Sequence, residues 1–308
     1  MPVLKFVIHR VLQALLVMLV VTLFVAFAIR LTGDPAVMLT QNASNVTEAD
    51  LVRIREALGL NQPFLVQYAD FIGGLLTGDL GNSFFRGSVS HLISIALPAT
   101  VLLALSSMFV SILVSIPLGI HSAVRRGGIS DQIIRVMSLV GLSFPNFWLA
   151  MMFVLLFSIT FPVFPASGFS GPLSLVLPAL TIGLILTATN VRLVRTTMLE
   201  TLSAQYIMVA RAKGLRERVV IYKHALRNSA IALVTYLGLQ FGNLIGGIVV
   251  VELVFNWPGM GTLAVDAIAQ RDYPLLQATV SILAVMIVGV NLFVDLVYGL
   301  IDPRIRVE

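Results

Sequence analysis

The sequence has no cysteine and few charged residues, and both features restrict what the protein can be. Without cysteine, disulfides, zinc–thiolate sites and cysteine nucleophiles are excluded. Only 11% of the 308 residues are charged, against roughly 25% in soluble domains. Hydrophobic residues make up 58%, and the mean hydropathy is +0.97. No water-facing surface can be built from this composition, so lipid is the solvent.

Two further absences concern catalysis. The phosphate-binding pattern G-x-x-x-x-G-K-[ST] does not occur, so the chain has no ATP site of that type. The four histidines, His9, His91, His121 and His224, lie at or beyond the ends of the apolar runs. An intramembrane serine protease is one alternative, because Gly168-Phe-Ser-Gly171 has a Gly-x-Ser-Gly form, but no histidine is placed within a span to activate Ser170. We predict no catalytic residue and no metal site.

Six stretches are long and apolar enough to cross a bilayer, which takes about 20 residues in a helix. They are Val11–Ile29, Thr100–Ile120, Val136–Ile159, Leu173–Val191, Ser229–Val251 and Leu275–Leu296. The predicted fold is therefore an all-α integral membrane protein with six transmembrane helices. Four prolines predict kinks or helix ends: Pro98, Pro117, Pro145 and Pro178.

The distribution of Lys and Arg predicts the orientation. With the N-terminus inside, most basic residues lie on the cytoplasmic side, and 192–228 carries the largest share. Both termini are therefore predicted to be cytoplasmic. This pattern explains the net charge of +5 as a topology signal, and no nucleic-acid partner is expected.

Residues 31–97 are predicted to form a small helical lobe outside the membrane. Asp34-Pro35 suits a helix start, and Thr47-Glu-Ala-Asp50 is a capping box for a short helix that ends at Gly59. Asn42 and Asn45 begin glycosylation sequons that matter only in a glycosylating pathway. A second external loop contains residues typical of a turn: Asn256, Trp257, Pro258 and Gly259. Trp257 is expected to be exposed. It would either anchor the loop at the membrane interface or belong to a docking loop for an external partner.

The fifth span has two distinct faces. One face carries glycines every four residues, a pattern that allows another helix to approach closely: Gly238, Gly242 and Gly246. Gln240 and Asn243 lie on the opposite face, which should meet water, substrate or another helix. The alternative is that these amides only bond neighbouring helices.

Polar residues also occur in the fourth and sixth spans. Asn291 and Asp295 share one face of span six, and Asn190 is assigned to the same polar lining. An acid within a membrane span indicates function. The alternative for Asp295 is an ion pair with Arg304 or another cytoplasmic basic residue near the membrane surface.

The basic stretch ARAKGLRERVVIYKHALRN, residues 210–228, is predicted to form an amphipathic helix pair along the membrane surface. Gly214 ends the first helix as its C′ residue. In the second, Val219, Tyr222 and Leu226 share the apolar side. Charge alone favours a topology signal. The connection is far longer than a turn needs, so it is interpreted as a docking site for a partner protein.

Here the chain resembles the dipeptide/oligopeptide/nickel family of ABC importer permeases, which have the type I importer fold. Tyr206–Leu215 followed by His224–Asn228 resembles the ATPase-docking loop, with Met208 and Val209 in place of the Glu and first Ala of the broader permease motif. Further matches follow in one order along nearly the whole chain: Gly33-Asp-Pro35, Gly78-Asp-Leu-Gly81, Leu97-Pro-Ala-Thr100, Ser143-Phe-Pro145, Pro165-Ala-Ser-Gly168, Gly246-Gly247, Val250-Val-Glu252, Asn256-Trp-Pro-Gly259, Arg271-Asp-Tyr-Pro274 and Asp302-Pro-Arg-Ile-Arg306.

The resemblance implies a half-translocator in a bacterial or archaeal inner membrane that imports peptides or similar small solutes. Its implied partners are a second permease, two ATPases carrying ATP and Mg, an external solute-binding protein and membrane lipid; this chain itself holds no cofactor. The implied organisation is an N-terminal helix (1–30), the external lobe (31–97) and a five-helix core (98–308) with the coupling loop 192–228. The implied ATPase-coupling residues are Ala210, Arg211, Ala212, Lys213, Gly214 and Leu215. A secondary transporter is the remaining alternative; inverted repeats would favour it, and no convincing repeat is present.

Overall fold

The computed structural model of the chain describes residues 2–31, 35–40, 47–57 and 61–301. In those residues the chain is helical apart from loops and a two-residue ladder between antiparallel strands β1 and β2. The α-helices and strands are α1 Pro2–Arg30, α2 Pro35–Thr40, α3 Glu48–Ala57, α4 Phe64–Thr77, β1 Asn82–Ser83, β2 Gly87–Ser88, α5 Val89–Val124, α6 Ile129–Ser143, α7 Asn146–Val154, α8 Val176–Leu202, α9 Gln205–Ala212, α10 Glu217–Val219, α11 Leu226–Gly247, α12 Val249–Val254, α13 Met260–Gln270 and α14 Tyr273–Ile301. Leu155–Thr160 and Val220–Ala225 are π-helical, and Pro172–Leu175 is a 3₁₀ turn.

Across the described residues, five helices are long and apolar enough to cross a membrane, and a bent pair makes a sixth span when it is counted as one. The five are Val7–Arg30, Val89–Val124, Pro172–Leu202, Glu217–Gly247 and Tyr273–Leu296. Each contains or overlaps a predicted span, so the all-α membrane fold is confirmed. The second span begins in α5 at Val89, well before the predicted Thr100.

The third span was predicted over Val136–Ile159 with a kink or helix end at Pro145, and the break at Pro145 is confirmed. It is a pair, Ile129–Ser143 and Asn146–Thr160, bent by 98°. The break lies at Phe144 and Pro145, because the residue before a proline is driven out of the helical region; Phe144 is extended, with φ −89° and ψ 129°. By contrast, α5 continues through both Pro98 and Pro117.

The chain divides into two compact units, Met1–Ala99 with Pro258–Leu292, and Thr100–Trp257 with Phe293–Glu308. In the first unit, Val89 and Ile93 pack with Met260 and Leu275 in a buried core. The buried Asp272 accepts hydrogen bonds from the Ser83 hydroxyl and from the backbone N–H of Phe84, which ties the β-hairpin to the turn between α13 and α14.

The predicted capping box is confirmed at the start of α3. The Thr47 hydroxyl and backbone N–H both donate to Asp50 Oδ2, at 2.7 and 3.1 Å, and the Asp50 N–H donates back to Thr47 Oγ1 at 3.3 Å. The hydrogen bond from the Thr47 side chain lowers the pKa of Asp50 below its ordinary value. The predictions at Asp34, Asn42, Asn45, Gly59 and 302–306 lie outside the described residues.

In the second unit, small residues let α5 and α8 approach closely. A Cβ added at Gly119 would lie 2.5 Å from Val194 Cβ, and one at Gly183 would lie 2.7 Å from Val110 Cγ1. Along α5, buried serines recur every four residues: Ser107, Ser111 and Ser115. This small-residue stripe is a sequence signal for helix packing that the sequence reasoning missed.

Candidate functional site

The first helix of the predicted coupling loop ends as expected. Helix α9 covers Gln205–Ala212, and Gly214 adopts φ +73°, a left-handed conformation that disfavours side chains. The Gly214 N–H donates to the Arg211 carbonyl at 2.9 Å, which satisfies one of the last helical acceptors. A Cβ at Gly214 would meet nothing within 4 Å, so backbone conformation, not space within the chain, is what favours glycine.

The second helix of the loop was predicted to be part of an amphipathic pair along the membrane surface. It is not a separate helix, because it continues into span five without interruption over Glu217–Gly247. The π-helical turn Val220–Ala225 widens the helix and changes which residues face inward. Val220, Ile221 and Ala225 are buried, whereas Tyr222, placed on the apolar side by the sequence, is 59% exposed.

The segment Ser203–Ala225, here called the lobe, has its own apolar core. Ile207 and Ala210 of α9 pack with Val220 in a cluster that extends to Val194 and Met198 of α8. Ala210 is only 7% exposed. Ala210 was implied to be an ATPase-coupling residue, but its methyl group lies against this chain's own residues, so a bulky side chain there would clash first within the lobe.

The remaining predicted coupling residues, Arg211 to Leu215, are exposed. Arg211 Nη2 forms an ion pair with Glu217 Oε1 at 2.7 Å, which bridges the turn at Gly214. This hydrogen-bonded partner raises the pKa of Arg211. Several apolar side chains of the lobe are also at least 40% exposed: Tyr206, Met208, Val209, Leu215 and Tyr222. The lobe thus presents an apolar surface with a charged border.

The predicted path residues of spans four and five differ in their surroundings. Asn190 is 1% exposed, and its Nδ2 donates to Ser111 Oγ on α5 at 2.8 Å. Its Oδ1, like Gln240 Oε1, is buried with no hydrogen-bond partner in the described part of the chain. Asn243 is exposed. In span six, Asn291 and Asp295 are half-buried, and Arg304 lies outside the described residues.

The glycines of span five do not share one environment. A Cβ at Gly238 would approach Val294 Cγ1 of α14 to 2.8 Å, so the two helices are in close contact there. Gly242 is buried. Gly246 is exposed, and a Cβ there would meet nothing within 4 Å. The helix-packing role of all three glycines stays a prediction.

Trp257 was expected to be an exposed aromatic residue, and this is wrong. Its side chain is 0% exposed and packs edge-on against Phe169, with ring centroids 5.0 Å apart. The backbone N–H of Trp257 donates to the backbone carbonyl of Glu252 at 2.8 Å, and the buried Glu252 carboxylate accepts from Thr100 Oγ1 at 2.6 Å. A buried ring is neither an interfacial anchor nor a contact for a partner. Only the neighbours Asn256 and Pro258 remain exposed.

A buried ion pair was missed entirely by the sequence reasoning. Asp131, 0% exposed, receives Nε and Nη2 of Arg195 at 2.8 and 2.9 Å on its two oxygens. It also accepts from Ser122 Oγ and from the Gly127 N–H. The only sequence signal was an acid in the first turn of α6, which usually indicates a helix start.

Comparisons with known proteins agree over the whole chain. The family described as "Binding-protein-dependent transport system inner membrane component" matches residues 115–307, and its N-terminal membrane component matches residues 3–104. The chain belongs to this family. It is the membrane permease subunit of an ABC importer, it is a multi-pass inner-membrane protein, and ATP hydrolysis resides on a separate subunit. The protease and secondary-transporter alternatives are therefore wrong.

The permease is similar to one protein named for glutathione transport and to another named for oligopeptide transport. It is 40% identical to the glutathione transport system permease protein GsiC of Pectobacterium atrosepticum, covering 95% of this chain and 94% of the relative. It is 37% identical to the oligopeptide transport system permease protein AppB of Bacillus subtilis, covering 98% and 99%. In fold it is similar to an inward-facing MetNI methionine ABC transporter structure, with TM-score 0.58 and 15% identity, covering 68% of this chain and 96% of that chain.

Proposed function

We propose that the permease imports short peptides or peptide-like solutes such as glutathione. The observation that carries this is the near full-length similarity to permeases named for glutathione, oligopeptide and peptide transport, at 36–40% identity. These solutes share a peptide backbone, a charged amine and a carboxylate. The amide side chains predicted to line the path are chemically suited to such groups, because amides both donate and accept hydrogen bonds.

We further propose that the working unit is this permease, a second related permease and two ATPases, loaded from outside by a solute-binding protein. The exposed apolar side chains of the lobe support a protein partner, since large exposed apolar patches typically mark interaction sites. Met208, Val209 and Leu215 lie on that surface. ATP and Mg²⁺ belong to the ATPases, and this chain binds no cofactor of its own.

Coupling then follows from differential binding. The ATPases bind the lobe differently when open and closed, and that difference shifts the permease between its inward- and outward-open states. The lobe can transmit the movement because its core is shared with α8 and because α10 continues into α11. Within such an assembly, Gln240, Asn243, Asn291, Asp295 and Asn190 are proposed to contribute to the path.

The test is uptake of labelled dipeptide, longer peptide and glutathione by cells lacking this permease and by cells complemented with it. The expected result is restored uptake of at least one of these solutes, competed by unlabelled solute. Binding assays on the solute-binding protein of the same system identify which one. Unchanged uptake of every peptide-like solute, with restored uptake of a sugar or metal complex, would contradict the proposed substrate class.

A further inference from the structure

An apolar groove of about 500 Å³ opens between α5, α6, α7 and α8 in the second unit. Leu118 of α5, Met137 of α6, Phe153 of α7 and Leu184 of α8 are among its lining residues. Its volume lies within the range of about 300–1,000 Å³ that is typical of ligand-binding pockets. Helices α5 and α8 belong to two of the five membrane-crossing helices, and α6 with α7 forms the bent pair that counts as a sixth span, so the groove is a cleft at membrane depth.

The groove offers a peptide no charged side chain and no free side-chain donor. Two hydroxyls line it, and both already donate within their own helices. Ser138 Oγ donates to the Ile134 carbonyl at 2.8 Å, and Thr187 Oγ1 donates to the Gly183 carbonyl at 2.7 Å. An ordered water typically makes about two to four hydrogen bonds, and two hydroxyl oxygens in an otherwise apolar lining supply few partners for one. The groove therefore suits an apolar occupant and not the transported solute.

Asp131, Arg195, Ser122 and Gly127 form a hydrogen-bonded network, here called the Asp131–Arg195 network, which lies at one end of this groove. On each of three helices, one network residue lies a single helical turn beyond a lining residue: Ser122 beyond Leu118, Asp131 beyond Ile134 and Arg195 beyond Val191. Residues three or four apart share a helix face, so all three helices place the network at the same end. That end is the one nearest the lobe, which follows α8.

Four further arginines lie close in sequence to this end of the groove. Arg125 and Arg126 lie in the turn after α5, which is joined to the network because the Gly127 N–H donates to Asp131 Oδ2 at 2.9 Å. Arg135 directly follows the lining residue Ile134, and Arg192 directly follows Val191. All four side chains are exposed. None of them pairs with a carboxylate in the part of the chain that the structure describes.

We propose that this groove binds one anionic phospholipid of the membrane, with an acyl chain between the helices and the phosphate headgroup among the four arginines. An apolar slot at membrane depth with unpaired cations at its surface end matches a lipid that carries negative charge, as basic pockets between transmembrane helices do. A zwitterionic lipid would also fill the slot, but the cation of its headgroup would offset the attraction of its phosphate for the arginines. Arg195 does not contribute, because Asp131 already neutralises it.

The chain contains its own reporter for this site. Trp148 stacks on the lining residue Phe144, with ring centroids 4.6 Å apart and the planes 9° from parallel. The other of its two tryptophans, Trp257, is fully buried. The experiment therefore measures tryptophan fluorescence of the assembled transporter in nanodiscs containing phosphatidylglycerol or phosphatidylcholine with brominated acyl chains. A Trp148→Phe transporter gives the background to subtract, because bromine quenches only rings that it closely approaches.

The expected result is that brominated phosphatidylglycerol quenches the Trp148 signal at a lower mole fraction than brominated phosphatidylcholine. Arg135→Gln and Arg192→Gln should each lower that preference about fivefold, as expected for one cation near a charged membrane surface. The matched control is Arg216→Gln with Arg218→Gln, which removes two exposed charges from the lobe and should leave the preference unchanged.

Three outcomes would overturn the proposal. Equal quenching by the two lipids would show that the arginines do not select charge. If the control variant lost its preference for phosphatidylglycerol equally, the preference would come from general surface charge and not from the arginines at the groove. The absence of any quenching beyond the Trp148→Phe background would show that protein, such as a helix of the second permease, covers the groove.

Discussion

Arg195 of α8 contacts both carboxylate oxygens of Asp131 on α6, and this two-point ion pair is buried on the Asp131 side. The pair joins the first half of the bent third span to the helix that leads into the lobe. With the hydrogen bonds from Ser122 and Gly127, it also connects the turn after α5 to the same point. Movement of the lobe and of α8 is therefore expected to reach the bent span through this contact.

Removal of one partner of this pair should destabilise the permease strongly. Arg195→Gln leaves a buried carboxylate without its cation, which costs about 3–5 kcal/mol when a buried pair is broken. Asp131→Asn combined with Arg195→Gln should recover part of this loss, because no unpaired charge remains buried. Thermal unfolding of the purified permease measures both. Arg211→Gln is the matched control, since its ion pair is exposed and worth about 0–1 kcal/mol; equal effects at Arg195 and Arg211 would contradict the prediction.

Gly214 should tolerate substitution only by residues that accept a left-handed backbone. Gly214→Val is expected to cost about 1–2 kcal/mol locally and to reduce uptake sharply, while the protein remains inserted in the membrane. Gly214→Asn should be milder, because asparagine visits this conformation more readily. Reconstituted uptake and ATPase rates decide the matter. Wild-type uptake by Gly214→Val would show that the basic lobe serves only as a topology signal.

Ala210 and Ala212 should separate folding of the lobe from docking. Ala210→Trp overpacks a buried cluster and should cost about 1–3 kcal/mol, making the lobe sensitive to protease. Ala212 is exposed, so Ala212→Trp should leave the lobe intact yet reduce uptake by crowding the ATPase. Limited proteolysis and uptake are measured on both variants. Protease resistance of Ala210→Trp would argue against the packing described for α9.

Gln240 should matter for transport more than for stability. Gln240→Leu removes an oxygen that is buried without a partner in the described residues, so the folded state should lose little, whereas uptake should fall if the amide lines the path. Asn190→Leu is the comparison, because it breaks the hydrogen bond to Ser111 and should cost about 1 kcal/mol. Melting temperature and uptake are compared for the two. Unimpaired uptake by Gln240→Leu would remove this residue from the proposed path.

Local sequence signals predicted the secondary structure correctly where a single residue, a short motif or one apolar run is enough to specify it. Each apolar run corresponds to a helix or a bent pair, and Gly214 ends α9 with a positive φ. Thr47 and Asp50 cap α3 as the short motif indicated. Local reasoning failed in the lobe, because the π-helical turn at Val220–Ala225 changes the helical period on which the predicted apolar face rested.

The sequence by itself determined that this is a multi-span helical membrane protein, because lipid accepts only apolar runs whose backbone is satisfied within the helix. It also identified the family, because many short motifs follow in one order. Tertiary structure alone decided that Trp257 is buried, that Asp131 pairs with Arg195 and that Ala210 faces inward. In each case the deciding contact joins residues far apart in the chain, such as Phe169 with Trp257. No local pattern records such a partner, because burial and pairing arise only when the helices pack together.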